Sequence, residues 1–481
     1  MDFTVPDVNI ICMLPEILLL IFGTVLLFME DSSERRNCLS LAAVGGILTA
    51  GLLIPFYWGR NCAGFDDIIV RDDIALLFQA ALLIAVFLAI VFTHYYMRHR
   101  DNLGEYLALI LTATAGMNVM VMTHNLLVVF LGMEILALSL YVLVGYDKTS
   151  REGIEATVKY FLLGAFSSAV FLLGIAFYYG ATGRIGIENV SVPLIAVANG
   201  NGLLLLTGTV LVLAGLGFKI ASVPFHMWAP DTYEGAPVSV ASLLSVAPKI
   251  AAFAVFLRIA LAVADVHPDA VKIAIVFMSC ASMIMGNFTA LRQTHFIRML
   301  AYSGIAQVGY MLIGLLGIHQ GGGNALVFYL IVYVFMNMGA FGVAIYLCAQ
   351  ERQDLRIDAL SGLASRHPGL ALAMVVFMIS LAGLPPTAGF FAKFYVFKTG
   401  IEAGYLWLVL VAFIMTVVSL FYYFRVIMVM YMREATGEIS ITSGNFAVFS
   451  VIIGMLAFIT LLLGIVPNSL VVVIAHALNV L

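Results

Sequence analysis

Residues 217–228 read GFKIASVPFHMW, at the end of an apolar run that begins at Gly202. A lysine, Lys219, sits in that run five residues before Pro224. A membrane-buried lysine costs roughly 2.5–3.5 kcal/mol unless it meets a partner or a hydrated path, and a proline in mid-run breaks the helix. The chain repeats the pattern. Glu134 lies in VVFLGMEILALSLYVLVG, Lys249 in SLLSVAPKIAAFAVFL, and Lys393 in SLAGLPPTAGFFAKFYVF, each in the body of an apolar run. Together they cost about 10 kcal/mol if they serve no purpose, so movement of protons or ions through a membrane is the natural expectation.

Composition fixes the setting: 63% of residues are hydrophobic and 10% charged, against about 45–50% and 25% in soluble domains. A net charge of −4 offers no basic footprint for nucleic acid. The five cysteines stand singly with no CxxC pair, so no disulfide framework and no iron–sulfur site is expected. The N-terminus lacks the basic n-region of a cleaved signal, and its first apolar run reads as a retained helix.

Spans of 17–25 apolar residues fall near 12–29, 38–58, 73–97, 104–122, 125–146, 154–180, 202–227, 238–264, 270–290, 299–319, 325–349, 369–398, 404–431 and 446–466. Continuous runs of this length exclude a β-barrel, whose strands alternate over about ten residues. The fold class is therefore an all-α membrane bundle. With the N-terminus outside, Arg35, Arg36, Arg98, Arg100, Lys148, Arg151, Arg292, Arg298, Arg352, Arg356, Arg366 and Arg433 fall in inner loops, and only Arg60, Arg71, Arg184, Lys272 and Lys398 in outer ones. That excess matches the positive-inside rule.

The seventh span (Lys219 before Pro224) and the twelfth (Gly383, Pro385 and Pro386 before Lys393) share one character. Broken helices at matching places in two halves point to an inverted-repeat transporter. Five spans separate the two, and an odd offset reverses direction across the membrane. The expected organisation is 1–100 as three N-terminal helices, 101–265 as a first five-helix repeat, 266–433 as its inverted second copy, and 434–481 as the last helix.

The stretch GFKIASVPFHMWAPDTYEGAPVSVASLLS, with MEILALSLY before it and LAYSGIAQVGY and LAGLPPTAGFFAKFY after it, resembles the proton-translocating antiporter-like subunits of respiratory complex I over nearly the whole chain, and within that family the N-type subunit. The resemblance implies roles by position. Glu134 is the fifth-helix carboxylate and Lys219 its seventh-helix partner, Lys249 the central lysine, and Lys393 the terminal lysine that exchanges protons with the outer side. His226 helps load protons. Gln307 replaces a histidine common in relatives and cannot titrate near neutral pH. Redox chemistry is expected in partner subunits that carry NADH, FMN, iron–sulfur clusters and quinone, with no cofactor in this chain, in a bacterial plasma membrane. A multi-subunit cation/proton antiporter and a small-solute transporter are the alternatives. Structural readings remain at each residue: a static Glu134–Lys219 ion pair, tolerated proline kinks, a packing role for His226, and solvated Asp231 and Glu234.

Overall fold

The computed structural model describes residues 8–29, 35–97, 101–187, 196, 199–263, 268–351, 355–434 and 446–478. Arg98, Arg100 and Arg352 lie outside them. Among the described residues, thirteen helices are long and apolar enough to cross a membrane. With no water to satisfy backbone groups in lipid, a long apolar run must close its hydrogen bonds within itself. The helices are α1 (Leu14–Phe28), α2 (Arg36–Tyr57), α3 (Asp73–Tyr96), α4 (Leu103–Val121), α5 (Leu126–Val144), α6 (Arg151–Thr182), α7 (Gly202–Lys219), the short α8 (Trp228–Gly235), α9 (Val238–Val263), α10 (Pro268–Leu291), α11 (Phe296–Leu316) and α12 (Gly322–Glu351). After the short α13 (Leu363–Arg366) come α14 (Pro368–Ala382), α15 (Ala388–Glu402), α16 (Leu406–Met432), α17 (Phe446–Ile465) and the short α18 (Asn468–Leu478). The expected twelfth span is the pair α14 and α15, broken at 383–387, which with the thirteen long helices accounts for the fourteen spans.

Side chains set the helix starts. Asp72 caps α3 by accepting from the Ala75 amide, Asn125 caps α5 from Leu127 and Val128, and Ser150 caps α6 from Gly153; each satisfies a first-turn donor that has no partner within the helix. Helix α9 forms the buried axis of the bundle, with α11 and α12 nearly as enclosed, and α1, α2 and α17 lie at the periphery. Pro248 cannot donate to the Leu244 carbonyl, and Tyr233 Oη donates to that carbonyl instead, at 3.1 Å.

Two features depart from the sequence reading. Residues 58–72 form a small antiparallel hairpin, Cys62–Gly64 with Ile69–Arg71, and Cys12 and Cys62 are joined in a disulfide with Cα atoms 5.7 Å apart. Cysteines fifty residues apart carry no spacing signal; the hairpin, itself unforeseen, brings Cys62 to the start of α1. Arg71, expected as a loop charge, is 1% exposed.

Candidate functional site

Each broken span ends its first half at carbonyls that have lost their intrahelical donors. At the first break, α7 stops at Lys219, and Ala221 takes φ +57°, a left-handed conformation that costs a residue with a Cβ about 1–3 kcal/mol. The freed carbonyls are taken by other groups: Trp228 Nε1 donates to Phe218 O at 3.0 Å, and the Ser222 amide and hydroxyl both donate to Gly217 O. Lys219 itself, 3% exposed, leaves its Nζ without a hydrogen-bond partner.

At the second break, Gly383 caps α14 with φ +84°, a conformation glycine adopts at no steric cost. Here the functional side chain takes the freed carbonyl. Lys393, 4% exposed, reaches back from α15 so that Nζ donates to Ala382 O at 3.0 Å, and it lies 4.7 Å over the Tyr310 ring. The neighbouring carbonyl, Leu381 O, accepts from Gln307 Nε2 at 3.0 Å. Both ammonium groups thus belong to the C-terminal end of a half-helix, where the negative end of the helix dipole favours a cation.

Lys249 lies between them on α9, 2% exposed, with Nζ 3.5 Å from both Gly304 O and Tyr333 Oη and 5.4 Å over the Tyr333 ring. Those distances are long for hydrogen bonds. Gly304 leaves room for this approach: a Cβ there would stand 2.9 Å from Lys249 Nζ, whose flexible chain would have to shift. From Gln307 a neutral polar cluster extends toward Lys393. Tyr329 Oη donates to Gln307 Oε1, Gln307 Nε2 donates to Tyr423 Oη at 3.1 Å, Tyr422 Oη donates to Asn287 Oδ1 at 3.0 Å, and Asn287 Nδ2 donates to Tyr310 Oη at 3.1 Å. The Tyr422 and Tyr423 rings join the two parts, centroids 4.3 Å apart. Gln307 therefore sits in the hydrogen-bonded layer although it cannot titrate.

The expected Glu134–Lys219 ion pair is not formed directly. Glu134 is half-buried and accepts from Ser168 Oγ; its charge reaches Lys219 through space. His226 lies in the first break, half-buried, with Nδ1 buried and unpartnered. Asp231 and Glu234, read as solvated, are ion-paired: Asp231 bridges Lys159 at 2.8 Å and Arg298 at 2.7 Å, and Arg298 also meets Glu234 at 2.6 Å. Burial pushes the Asp231 carboxyl up, but the bonds from Lys159 and Arg298 outweigh it and hold the group below its ordinary value.

Sequence reasoning singled out four charges inside apolar runs and left others unread, Glu16 and Arg258 among them. Glu16 lies in α1 and accepts from Arg71 Nη2 at 2.5 Å, both nearly inaccessible, with Gln79 bonded to each. Arg258 lies in α9 and forms a two-pronged contact with Asp72, at 2.7 and 2.9 Å, and meets His124 Nε2 at 2.9 Å. The signal that finds Lys219, a charge interrupting an apolar run, applies equally to Glu16 and Arg258.

The family described as NADH:quinone oxidoreductase/Mrp antiporter, TM, matches residues 123–419, a segment that contains all four buried charges of the sequence reading. The NADH-quinone oxidoreductase subunit N of Trichlorobacter lovleyi is 39% identical over 90% of this chain and 89% of its own. The protein of the same name from Alkalilimnicola ehrlichii is 37% identical over 98% and 96%. Among solved structures, respiratory complex I from Thermus thermophilus with bound Aureothin contains a chain 31% identical, with TM-score 0.81 over 95% of this chain and 98% of that one. A chain of an archaeal membrane-bound sulfane sulfur reductase has TM-score 0.85 and 25% identity over 97% and 96%.

Proposed function

The chain belongs to the NADH:quinone oxidoreductase/Mrp antiporter membrane family, and on that premise we propose that its four buried charges carry protons across the membrane. It is an N-type antiporter-like subunit of a proton-translocating NADH:quinone oxidoreductase, and it works beside the other membrane subunits and the peripheral arm. NADH, FMN, iron–sulfur clusters and quinone belong to those partners. The membrane is the bacterial plasma membrane. The observation that carries the proposal is the placement of Lys219 and Lys393 at the ends of two half-helices, with Lys249 between them on the buried axis.

Protons are taken up from the cytoplasm at Lys219, with Glu134 biasing its charge and His226 loading it, pass to Lys249, and leave past Lys393. The two segments 101–265 and 266–433 act as inverted copies. Support for an outward N-terminus comes from the arginine and lysine distribution and from the Cys12–Cys62 disulfide at the start of α1, since disulfides persist on the oxidising side of a membrane. Moving one charge against 100 mV takes about 2.3 kcal/mol, so at least one step is gated, and the orphaned Lys219 is the natural place. An exchanger of the Mrp type is the second reading, favoured by the family's shared name; the relatives at 37–39% identity carry the oxidoreductase name instead.

Glu134→Ala in the intact complex tests the uptake step: coupled turnover falls several-fold while the complex still assembles. Parental turnover in an assembled variant would refute the role of Glu134.

A further inference from the structure

One group of charges that the proton route does not use gathers at one end of the bundle. Helices α1 and α3 begin there, α9 ends there, and the α4–α5 connection carries His124. Three consecutive residues organise the layer. Arg71 bonds Glu16 of α1, Asp72 bonds Arg258 of α9 while capping α3, and Asp73 accepts from the Gly59 amide at 2.7 Å. Arg258 is 4% exposed and makes four hydrogen bonds: Nε donates to Val121 O at 3.2 Å, and its two terminal nitrogens meet Asp72 and His124. Arg258 lies nine residues beyond Lys249, about 13 Å further along α9 at 1.5 Å per residue.

We infer that this layer of Glu16, Arg71, Asp72, Arg258 and His124 is a fixed-charge seal that closes this end of the bundle to protons, leaving Lys393 as the way out from Lys249. The inference rests on the proton route proposed above. A guanidinium neither accepts nor releases a proton in a protein, and a fixed positive charge in a narrow passage opposes cation movement. Two of the ionisable groups bonded to it, Asp72 and His124, are each shifted by its charge. Burial raises the Asp72 carboxyl, but Arg258 more than offsets this and keeps it below its usual range. Burial and the adjacent Arg258 push His124 down to about 4, so the ring is neutral at physiological pH. Residues 71 and 72 precede the family-matched segment 123–419, so the seal joins the N-terminal helices to the helix of the central lysine.

The intact complex is reconstituted into liposomes holding a pH-sensitive dye, and proton leak is followed after an external acid pulse with valinomycin and no NADH. Arg258→Gln is expected to leak several-fold faster than the parent, and Arg258→Lys to stay near the parent. Parental tightness in Arg258→Gln overturns the inference. Removing one member of a buried pair is strongly destabilising, so Asp72→Asn/Arg258→Gln, which leaves no unpaired charge, is measured beside it, with the same leak expected and tightness again contradicting. Hydrogen exchange of the unaltered complex is the third measurement: amides of Val255–Arg258 exchange as slowly as those around Lys249 if the end is sealed, and fast exchange overturns the seal without any variant. Leak is read without turnover, so a leaking Arg258→Gln beside a normally pumping Lys393→Met would sustain the seal and refute the exit.

Discussion

The two broken helices use one architecture for two chemistries. At the first, Trp228 and Ser222 occupy the freed carbonyls and Lys219 has no partner. At the second, Lys393 and Gln307 occupy the freed carbonyls themselves, and a cluster of phenols and amides adjoins them. An unpartnered buried ammonium is costly and is therefore poised to respond when a nearby charge changes; a bonded one is a stable resting place. The first break is built to switch, the second to hold and release.

The sharpest way to break this contrast is to remove the switching charge. Lys219→Met keeps side-chain length and loses the titrating group; coupled NADH oxidation in membrane vesicles falls by about a hundredfold, the lower end of what a positioned proton-transfer group contributes. Glu134→Gln has a smaller effect, a several-fold loss, because the carboxylate is bonded to Ser168 and acts on Lys219 only through space; a loss equal to that of Lys219→Met would show a direct pair. In the second half, Gln307→Leu leaves Leu381 O and the Tyr329 and Tyr423 hydroxyls short of a partner, and costs about 1–3 kcal/mol, read as a lower unfolding midpoint of the purified complex with turnover reduced about twofold. The smallest effect belongs to Gly304→Ala: its Cβ meets the flexible tip of Lys249 at 2.9 Å rather than backbone, so a shift of the lysine and a cost of about 1 kcal/mol, within the range for overpacking, is expected in the same measurement.

The sequence reading recovered the helices because apolar length and proline are local signals, and α9 and the α14–α15 pair lie within a few residues of expectation, while α7 stops at Lys219, short of the expected 227. It singled out Lys219, Lys249 and Lys393 because each interrupts an apolar run, and the fold buries all three. What it missed depends on contacts between distant elements. The Cys12–Cys62 bridge needs a hairpin that no periodicity announces, and Arg71 reads as a loop charge until Glu16 of α1 is brought against it. Asp231 and Glu234 read as solvated because nothing in APDTYEGAP shows that Lys159 and Arg298 converge there. Glu134 and Lys219 make no direct ion pair: Ser168 donates to the Glu134 carboxylate, whose charge acts on Lys219 through space.

The central claim is that the line from Lys219 to Lys393 carries the protons, and Lys393→Met in reconstituted proteoliposomes tests it most directly, by counting protons moved per NADH oxidised. The ratio is expected to fall, or turnover to fall with it, in a complex that remains assembled; parental ratio and parental rate together would contradict Lys393 as the obligatory exit.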